Sequence, residues 1–364
     1  MILPAESPGA HGLPALEDLD LKKLPREDAL MALSALRFIE GELGRSLRGQ
    51  KLLVAFSGGA DSTALLIIFR ALSPRFDLGL SAAHLDHGLR PESAADAEAA
   101  SALCSRLGVP LAVRRADVAG VARERRCGLE EAGRTVRKAW LEECRAACGA
   151  SWVLEAHHSG DLAEDVLMRL VRGAGWPALG GMKAVADMPG MHVLRPLLML
   201  EKDRLTTMLR RLGVPWREDA TNAGLDHRRN RMRNAVLPLL LAENPRFYGS
   251  VRALWRMARD SERAAADLGS SLTEENGAVL LPAEVLAGAG AEKRSLLYLA
   301  AVRSMARGQA RASSLAALDK AWLARRFPRV IQFGGGLRAL VSAEGVRFYA
   351  EAGCDGRTGT PARD

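Results

Sequence analysis

The sequence predicts an α/β protein with a doubly wound, Rossmann-like parallel sheet. Two observations support this prediction. Short apolar runs alternate with helical stretches such as residues 94–107, as in sheets whose parallel strands are joined by crossover helices. The runs lie at residues 52–56, 78–83, 111–113 and 152–156. The first run also stops at a glycine-rich turn and passes directly into a helical apolar pattern.

The length of 364 residues and a hydrophobic content of 48% indicate more than one domain. We expect an N-terminal extension and helix at residues 1–49, a catalytic domain at 50–240 and a C-terminal domain at 241–364. An apolar stripe over residues 251–268 predicts a long helix that links to a small C-terminal α+β domain. The three glycines at 334–336 predict a hairpin turn rather than a phosphate loop, because no helical pattern follows them.

Positive charge is concentrated in the middle of the chain. The formal net charge is +8, and residues 195–259 hold 14 Lys or Arg against 6 Asp or Glu, so 14 minus 6 again gives +8. Single basic residues usually lie on solvated helix faces, but guanidinium groups clustered at 228–233 suit phosphate contacts. We therefore expect a nucleic-acid partner.

Neither secretion nor a membrane partner is indicated. The N-terminus lacks a basic start, and no stretch of about eighteen apolar residues occurs, so we expect a cytoplasmic protein. The odd number of cysteines and the lack of a C-x-x-C pair argue against a disulfide framework, a zinc ribbon or an iron–sulfur site. The cysteines are Cys104, Cys127, Cys144, Cys148 and Cys354.

The glycine-rich turn predicts a pyrophosphate site. Two adjacent glycines allow a sharp turn whose N–H groups converge on an anion at the positive end of the next helix. The serines can donate hydrogen bonds, and Asp61 is placed to hold Mg²⁺. Neither a Walker loop nor a G-x-G-x-x-G pattern is present. The residues are Ser57, Gly58, Gly59, Ala60, Asp61 and Ser62.

Polar residues follow two further strands, and ligands of doubly wound sheets bind at the carboxyl ends of strands. His84, Asp86 and Arg90 follow the second apolar run and suit metal and phosphate contacts. His157 and Asp161 follow the run at 152–156, with Asp161 near the start of the next helix. That position alone also fits a simple helix cap, and the adjacent histidines lack the spacing of a zinc protease.

Six sequence blocks, in order, resemble the tRNA(Ile)-lysidine synthetase family of N-type (PP-loop) ATP pyrophosphatases. They are SGGADS, HLDHGLR, EEAGRTVR, AHHSGDLAEDVLMRLVRGAG, RPLL and WREDATNAGLDHRRNRMRNAVLP. The resemblance covers about residues 51–240. It implies that ATP adenylates the C2 oxygen of the wobble cytidine in a tRNA(Ile) with a CAU anticodon, after which free L-lysine attacks and AMP leaves. A homodimer remains open.

The resemblance also implies residue roles. The catalytic candidates are Asp61, Arg134, His157 and Asp161. Asp61 and Asp86 are expected to bind Mg²⁺. The glycine loop with His84, Asp86 and Arg90 binds ATP. Arg134 is expected to contact phosphate or the target base, Glu130 to orient lysine, and His157 to polarise the base or relay a proton. The substrate-binding set is Glu130, Arg134, Arg137, Asp161, Glu164, Arg228, Arg231 and Arg233.

One departure from the family pattern leaves alternatives open. Many relatives carry two acids in H-H-x-D-D, whereas this chain has Gly160 before Asp161. A non-catalytic nucleotide-binding or RNA-binding protein is therefore one alternative. A tRNA sulfurtransferase with the same ATP loop is the other, although paired catalytic cysteines are not evident.

Overall fold

The computed structural model describes residues 16–86, 93–188, 191–217, 228–275, 277–305 and 310–350. The chain divides into two compact units. The first contains Met1–Ala163 and Met182–Glu243, and the second contains Glu164–Gly181 and Asn244–Asp364. Among the described residues, no helix combines the length and the apolar character needed to cross a membrane.

The first unit alternates strands with helices. Its strands are β1 (Lys51–Ala55), β2 (Gly79–Asp86), β3 (Leu111–Arg115), β4 (Trp152–Leu154), β5 (Val185–Met188) and β6 (Met191–Leu194). Its helices are α1 (Arg26–Leu43), α2 (Ala60–Phe76), α3 (Ser93–Arg106), α4 (Val118–Arg125), α5 (Leu129–Cys148), α7 (Lys202–Arg211), α8 (Arg228–Arg231) and α9 (Leu237–Glu243). A 3₁₀ turn at Leu16–Asp18 precedes α1, and a π-helical turn at Met232–Val236 joins α8 to α9. Helix α6 (Ser159–Val171) continues into the second unit.

The first sheet has the order β3-β2-β1-β4-β6-β5. All neighbouring pairs are parallel except β5 with β6, so the predicted parallel sheet is confirmed. The antiparallel hairpin of β5 and β6 was not predicted, because each of its strands is only four residues long. Such short runs give little periodic signal.

Helices cover both faces of this sheet. Leu53 of β1 packs with Leu141 and Cys144 of α5 on one face. Alternate strand positions point to the opposite face, which α2 covers. Five consecutive α2 residues, at positions 65–69, have no exposed surface. Because the middle of β1 and most of the first half of α2 are buried, their sequence is largely apolar on either side of the glycine turn.

The second unit contains an antiparallel sheet and its own helices. Its strands are β7 (Thr273–Glu275), β8 (Ala278–Pro282), β9 (Arg329–Phe333), β10 (Leu337–Ser342) and β11 (Gly345–Ala350), in the order β7-β8-β11-β10-β9. Its helices are α10 (Phe247–Asp267), α11 (Ala283–Ala287), α12 (Ala291–Ser304) and α13 (Ala312–Leu323), with 3₁₀ turns at Ala178–Gly180 and Leu268–Ser271. The predicted hairpin is confirmed, since β9 and β10 pair on either side of the three glycines. Strands β7, β8 and β11 were not predicted.

Gly345 is expected to be indispensable for the stability of the second unit. Its φ is +135°, and a Cβ there would overlap the carbonyl oxygen of Leu281 on β8. Gly345→Ala should therefore lower the free energy of unfolding by about 2 kcal/mol or more, measured by thermal and denaturant unfolding. Gly269→Ala is the matched control, because a Cβ at Gly269 meets no atom within 4 Å. Equal unfolding midpoints for the two variants would contradict this expectation.

Candidate active site

Loops that carry polar side chains leave neighbouring strands at one edge of the first sheet. β1 pairs in parallel with β2 on one side and β4 on the other, so their carboxyl ends lie side by side. Residues 57–62 follow β1, Asp86 ends β2, and residues 155–161 follow β4. β6 pairs in parallel with β4 and is followed by Arg195. The structure therefore brings the predicted loops to a common edge.

Hydrogen bonds of Ser57 and Ser62 hold the glycine loop in its turn. Ser62 Oγ donates to the Gly59 carbonyl oxygen at 3.1 Å, and it accepts the Ser57 N–H at 3.2 Å. Gly58 has a φ of +81°, and a Cβ there would meet open space. Helix α2 begins at Ala60 without a side-chain cap. An uncapped helix start beneath an open glycine turn is suited to an anion such as pyrophosphate.

Asp61 presents a carboxylate that fits a magnesium ion. Its Oδ1 is buried and has no hydrogen-bond partner within the described part of the chain. Its Oδ2 lies 3.7 Å from His158 Nε2 and 3.8 Å from Lys202 Nζ. Mg²⁺ is bound by one or two carboxylates together with substrate phosphates, so a buried carboxylate oxygen beside an anion site suits this ion. The described residues contain no group of three His, Cys, Asp or Glu that could form a metal cage.

His158 connects the glycine loop to the loop after β4. Its Nδ1 accepts the Gly160 N–H at 3.0 Å, so the neutral ring carries its proton on Nε2. That nitrogen faces Asp161 Oδ2 at 3.5 Å as well as Asp61 Oδ2. The backbone of Gly160 makes the contact, which needs no side chain at position 160. The sequence-based prediction names the neighbouring His157 and omits His158, although both histidines of the H-H pair are visible in the sequence.

Asp161 is paired with two arginines. Its Oδ1 accepts from Arg229 Nη2 at 2.8 Å and from Arg233 Nη2 at 3.0 Å, while Oδ2 accepts the His158 N–H at 3.0 Å. Burial raises the pKa of this carboxyl, but His158, His157 and Arg229 outweigh it and lower the pKa to about 2. Asp161 is therefore an anion at neutral pH. Arg229 lies in the basic cluster seen in the sequence, yet it was not among the predicted residues.

His157 belongs to a second charged cluster. Arg195 Nε donates to His157 Nδ1 at 3.1 Å, and Arg195 Nη2 donates to Glu155 Oε2 at 3.0 Å. Arg137 Nη2 lies 3.8 Å from Glu155 Oε1. Burial raises the pKa of Glu155, but contacts with His157, Arg195 and Arg137 lower it further than burial raises it. Glu155 and Arg195 were both missed, although the RPLL block contains Arg195.

His84 and Asp86 lie at the end of β2. His84 is buried, and its Nδ1 contacts the carbonyl oxygen of Phe56, the residue ahead of the glycine loop, at 3.0 Å. Asp86 is 6% exposed, and its Oδ2 lies 3.7 Å from Arg115 Nε. Arg90 lies outside the described residues. The ATP contacts of these three residues remain predictions.

The remaining predicted substrate residues are spread over three helices. Glu130, Arg134 and Arg137 are exposed on α5. Of these, Arg137 contacts the loop after β4 through its ion pair with Glu155. Glu164 is 1% exposed on α6 and belongs to the second unit. Arg228 and Arg231 are exposed on α8.

A backbone contact joins the glycine loop to the segment that precedes the basic cluster. The Arg217 N–H donates to the Gly58 carbonyl oxygen at 2.9 Å, and Arg217 Nε donates to Asp96 Oδ1 at 2.6 Å. No sequence pattern signalled this contact, because a backbone group can pair with any residue type. Residues 218–227, which carry most of the W-x-E-D-x-T-N block, lie outside the described residues.

Comparisons with known proteins agree with this arrangement. Residues 34–240 match the PP-loop domain. The chain is 46% identical over 346 residues to a tRNA(Ile)-lysidine synthase of Nitratidesulfovibrio vulgaris, covering 89% of the chain and 97% of that relative. It is 38% identical over 258 residues to the Geobacter sulfurreducens enzyme of the same name, covering 70% of the chain and 52% of that relative. The chain thus spans about half the length of the second relative.

A solved structure shares the fold. The U34-tRNA thiolase NcsA of Methanococcus maripaludis, with its [4Fe-4S] cluster, superposes with a TM-score of 0.53 at 16% identity. The match covers 64% of this chain and 80% of the thiolase. This likeness concerns the fold alone.

The pairing of Asp161 predicts how stability depends on pH. A pKa lowered from 3.8 to about 2 stabilises the folded state above pH 4, and this contribution is lost as the pH falls through 2. Asp161→Asn should therefore unfold more easily than the parent by about 2 kcal/mol near pH 7, and the difference should shrink between pH 4 and pH 2. Thermal unfolding at each pH measures it. A difference that stays constant down to pH 2 would contradict the ionic pairing.

Proposed function

The chain belongs to the tRNA(Ile)-lysidine synthase family, and on this premise we propose how its sheet-edge site performs the reaction. The enzyme is an ATP-using ligase with a PP-loop domain. In the first step the C2 oxygen of the wobble cytidine attacks the α-phosphorus of ATP and pyrophosphate leaves. In the second, the deprotonated ε-nitrogen of free L-lysine attacks C2, the C2–O bond breaks, AMP leaves with that oxygen, and the protons released from the lysine nitrogen pass to solvent.

The glycine loop holds the phosphates of ATP. Its open turn, the start of α2 and the serine hydroxyls supply neutral donors for the pyrophosphate oxygens. Lys202 adds a positive charge next to Asp61, at 3.8 Å. His84 supports the loop through the Phe56 carbonyl, and Arg90, which follows β2 in the sequence, is the further ATP contact of the proposal.

Asp61 and Asp86 would hold Mg²⁺. The buried Oδ1 of Asp61 and the buried carboxylate at the end of β2 are hard oxygen ligands of the kind that this ion takes. When bound, Mg²⁺ would shield the negative charge of the phosphates.

Asp161 receives the lysine side chain. The observation that carries this assignment is a buried carboxylate connected to the ATP loop through one histidine, His158, at 3.5 and 3.7 Å. Free lysine has a side-chain pKa near 10.4, so only about 0.1% is neutral near pH 7.4. A carboxylate kept ionised at neutral pH binds the ammonium form and orients it towards C2.

Lysine must first displace the arginines that now pair with Asp161. Arg229 and Arg233 are close to Arg228 and Arg231 in a cluster suited to RNA phosphates. When tRNA phosphates draw the guanidinium groups away, Asp161 becomes available to the lysine ammonium. tRNA binding and lysine binding are thereby coupled.

The other substrate contacts rest on the family resemblance. Arg134 on α5 contacts phosphate or the target base, Glu130 orients lysine, and Arg137 and Glu164 belong to the substrate-binding set. Residues 50–240 form the catalytic domain, residues 1–49 lead into it, and residues 241–364 bind the body of the tRNA. The reaction takes place in the cytoplasm. A homodimer is compatible with this assignment.

Pyrophosphate and AMP release test the function. With ATP and Mg²⁺, release should require both L-lysine and tRNA(Ile) with a CAU anticodon, and lysine should enter the RNA. Methionine tRNA, which has the same anticodon, should be refused. Release without lysine would indicate sulfur transfer or idle hydrolysis, and no release at all would indicate a binding protein.

Asp161→Asn should keep ATP and tRNA binding but lose lysine transfer, and normal turnover would remove Asp161 from the mechanism.

The displacement of arginines from Asp161 predicts the order of binding. Arg229→Gln combined with Arg233→Gln should let the protein bind lysine without tRNA, at least roughly tenfold more tightly than the parent, because charge-assisted hydrogen bonds no longer compete. Calorimetry with and without tRNA measures this. Arg228→Gln combined with Arg231→Gln is the matched control, since it removes the same two charges from exposed positions on α8. Unchanged lysine affinity in the double variant would contradict the coupling.

A further inference from the structure

Arg195 is a buried arginine whose guanidinium group is held on three sides. It is 7% exposed and lies directly after β6. Nη1 donates to the Lys183 carbonyl oxygen at 2.8 Å, Nη2 to Glu155 Oε2 at 3.0 Å, and Nε to His157 Nδ1 at 3.1 Å. The Nε and Nη2 hydrogens point in parallel from one edge of the planar group. One edge of Arg195 therefore serves both Glu155 and His157.

This contact determines which nitrogen of His157 carries the proton. A guanidinium group has donors only and does not deprotonate in proteins, so Nδ1 must accept. In the neutral ring the hydrogen then lies on Nε2. The His157 side chain is 23% exposed, while Arg195 is buried, so part of the ring remains accessible to a ligand. The hydrogen on Nε2 is a donor available to a ligand.

A hydrogen bond from His157 Nδ1 to Glu155 would be the alternative to the contact with Arg195. Glu155 Oε2 lies 3.3 Å from His157 Nδ1, so a proton on Nδ1 could be donated to the carboxylate. In that case the Arg195 Nε–H would face an N–H group, and two donors would oppose each other. With Nδ1 as acceptor, both neighbours are served by the same guanidinium edge. The geometry thus favours the proton on Nε2.

We propose that Arg195 is a positioning residue that fixes His157 in the Nε2–H form, so that His157 donates a hydrogen bond to an oxygen of the substrate rather than acting as a base. The donor role rests on the proposed function, in which phosphate oxygens gain negative charge near this edge as the C2 oxygen attacks, and that oxygen itself gains negative charge when it leaves with AMP. A donor aimed at developing charge stabilises a transition state. His157 then does not take the proton of the lysine ammonium. This narrows the two roles that the sequence left open, polarising the base or relaying a proton.

The form of the ring is measured without any turnover. Nitrogen-15 NMR of the full chain labelled at histidine, near pH 8, should show His157 with Nε2 protonated and Nδ1 unprotonated. His157→Gln assigns the signal by removing it. Arg195→Lys should give a mixture of the two forms, because the parallel pair of N–H groups is lost. A wild-type spectrum with the proton on Nδ1 would overturn the proposal.

Glu155→Gln serves as a second variant in case Arg195→Lys does not fold. The amide oxygen of glutamine still accepts from Arg195 Nη2, so the His157 signal should remain in the Nε2–H form. If Glu155 were instead the acceptor of a proton on Nδ1, this substitution would shift the signal. A shift in Glu155→Gln therefore counts against Arg195 as the group that fixes the ring.

Kinetics then test the donor role. His157→Ala should lower kcat by roughly 10²-fold with little change in the KM for ATP, which is the size of effect for one lost donor to a transition state. His157→Gln keeps an N–H group and should recover part of that loss. Equal rates for the two variants would overturn the donor role. A wild-type protein without lysidine synthesis but with the Nε2–H form would overturn the proposed function and leave the positioning by Arg195 intact.

Discussion

Parallel pairing around β1 is the constraint on which the site depends. Leu52 pairs with Leu80 of β2 and with Trp152 of β4, so all three strands run in one direction in a fixed register. Because side chains on both faces of β1 are buried, a slip of one residue would exchange its two packed faces. The glycine loop and the two histidines therefore meet at the sheet edge, although they are separated by almost a hundred residues of sequence.

Buried negative charge explains why the site contains so many cations. An unpaired buried carboxylate costs several kcal/mol, and the structure matches two of the buried carboxylates of the site with positive groups. Asp161 is paired with Arg229 and Arg233, and Glu155 with Arg195 and Arg137. Removing one partner leaves the other charge buried and uncompensated. Under the proposed function, charged substrates such as phosphates and the lysine ammonium would exchange with these groups.

The two adjacent histidines have similar chemistry and different surroundings. Each accepts on Nδ1, His158 from the Gly160 backbone and His157 from the Arg195 side chain. His158 is buried next to Asp61 and Asp161, whereas the His157 side chain is partly exposed. The contribution of the Gly160 backbone also gives a physical reason why the chain retains this arrangement without an acid at position 160.

The sequence alone determined the alternation of strands and helices and the glycine loop, and it indicated Asp61 and Asp161 as site candidates, because these depend on local periodicity, local turns and residue type. The C-terminal hairpin was also predicted from local signals. Tertiary structure decided which side chains meet: Arg195 with His157, Arg229 with Asp161, and the Arg217 backbone with Gly58. Such contacts join distant segments, and a long-range pairing of charges or backbone groups leaves no period in the sequence. It is set by strand order and register, which only the folded chain defines.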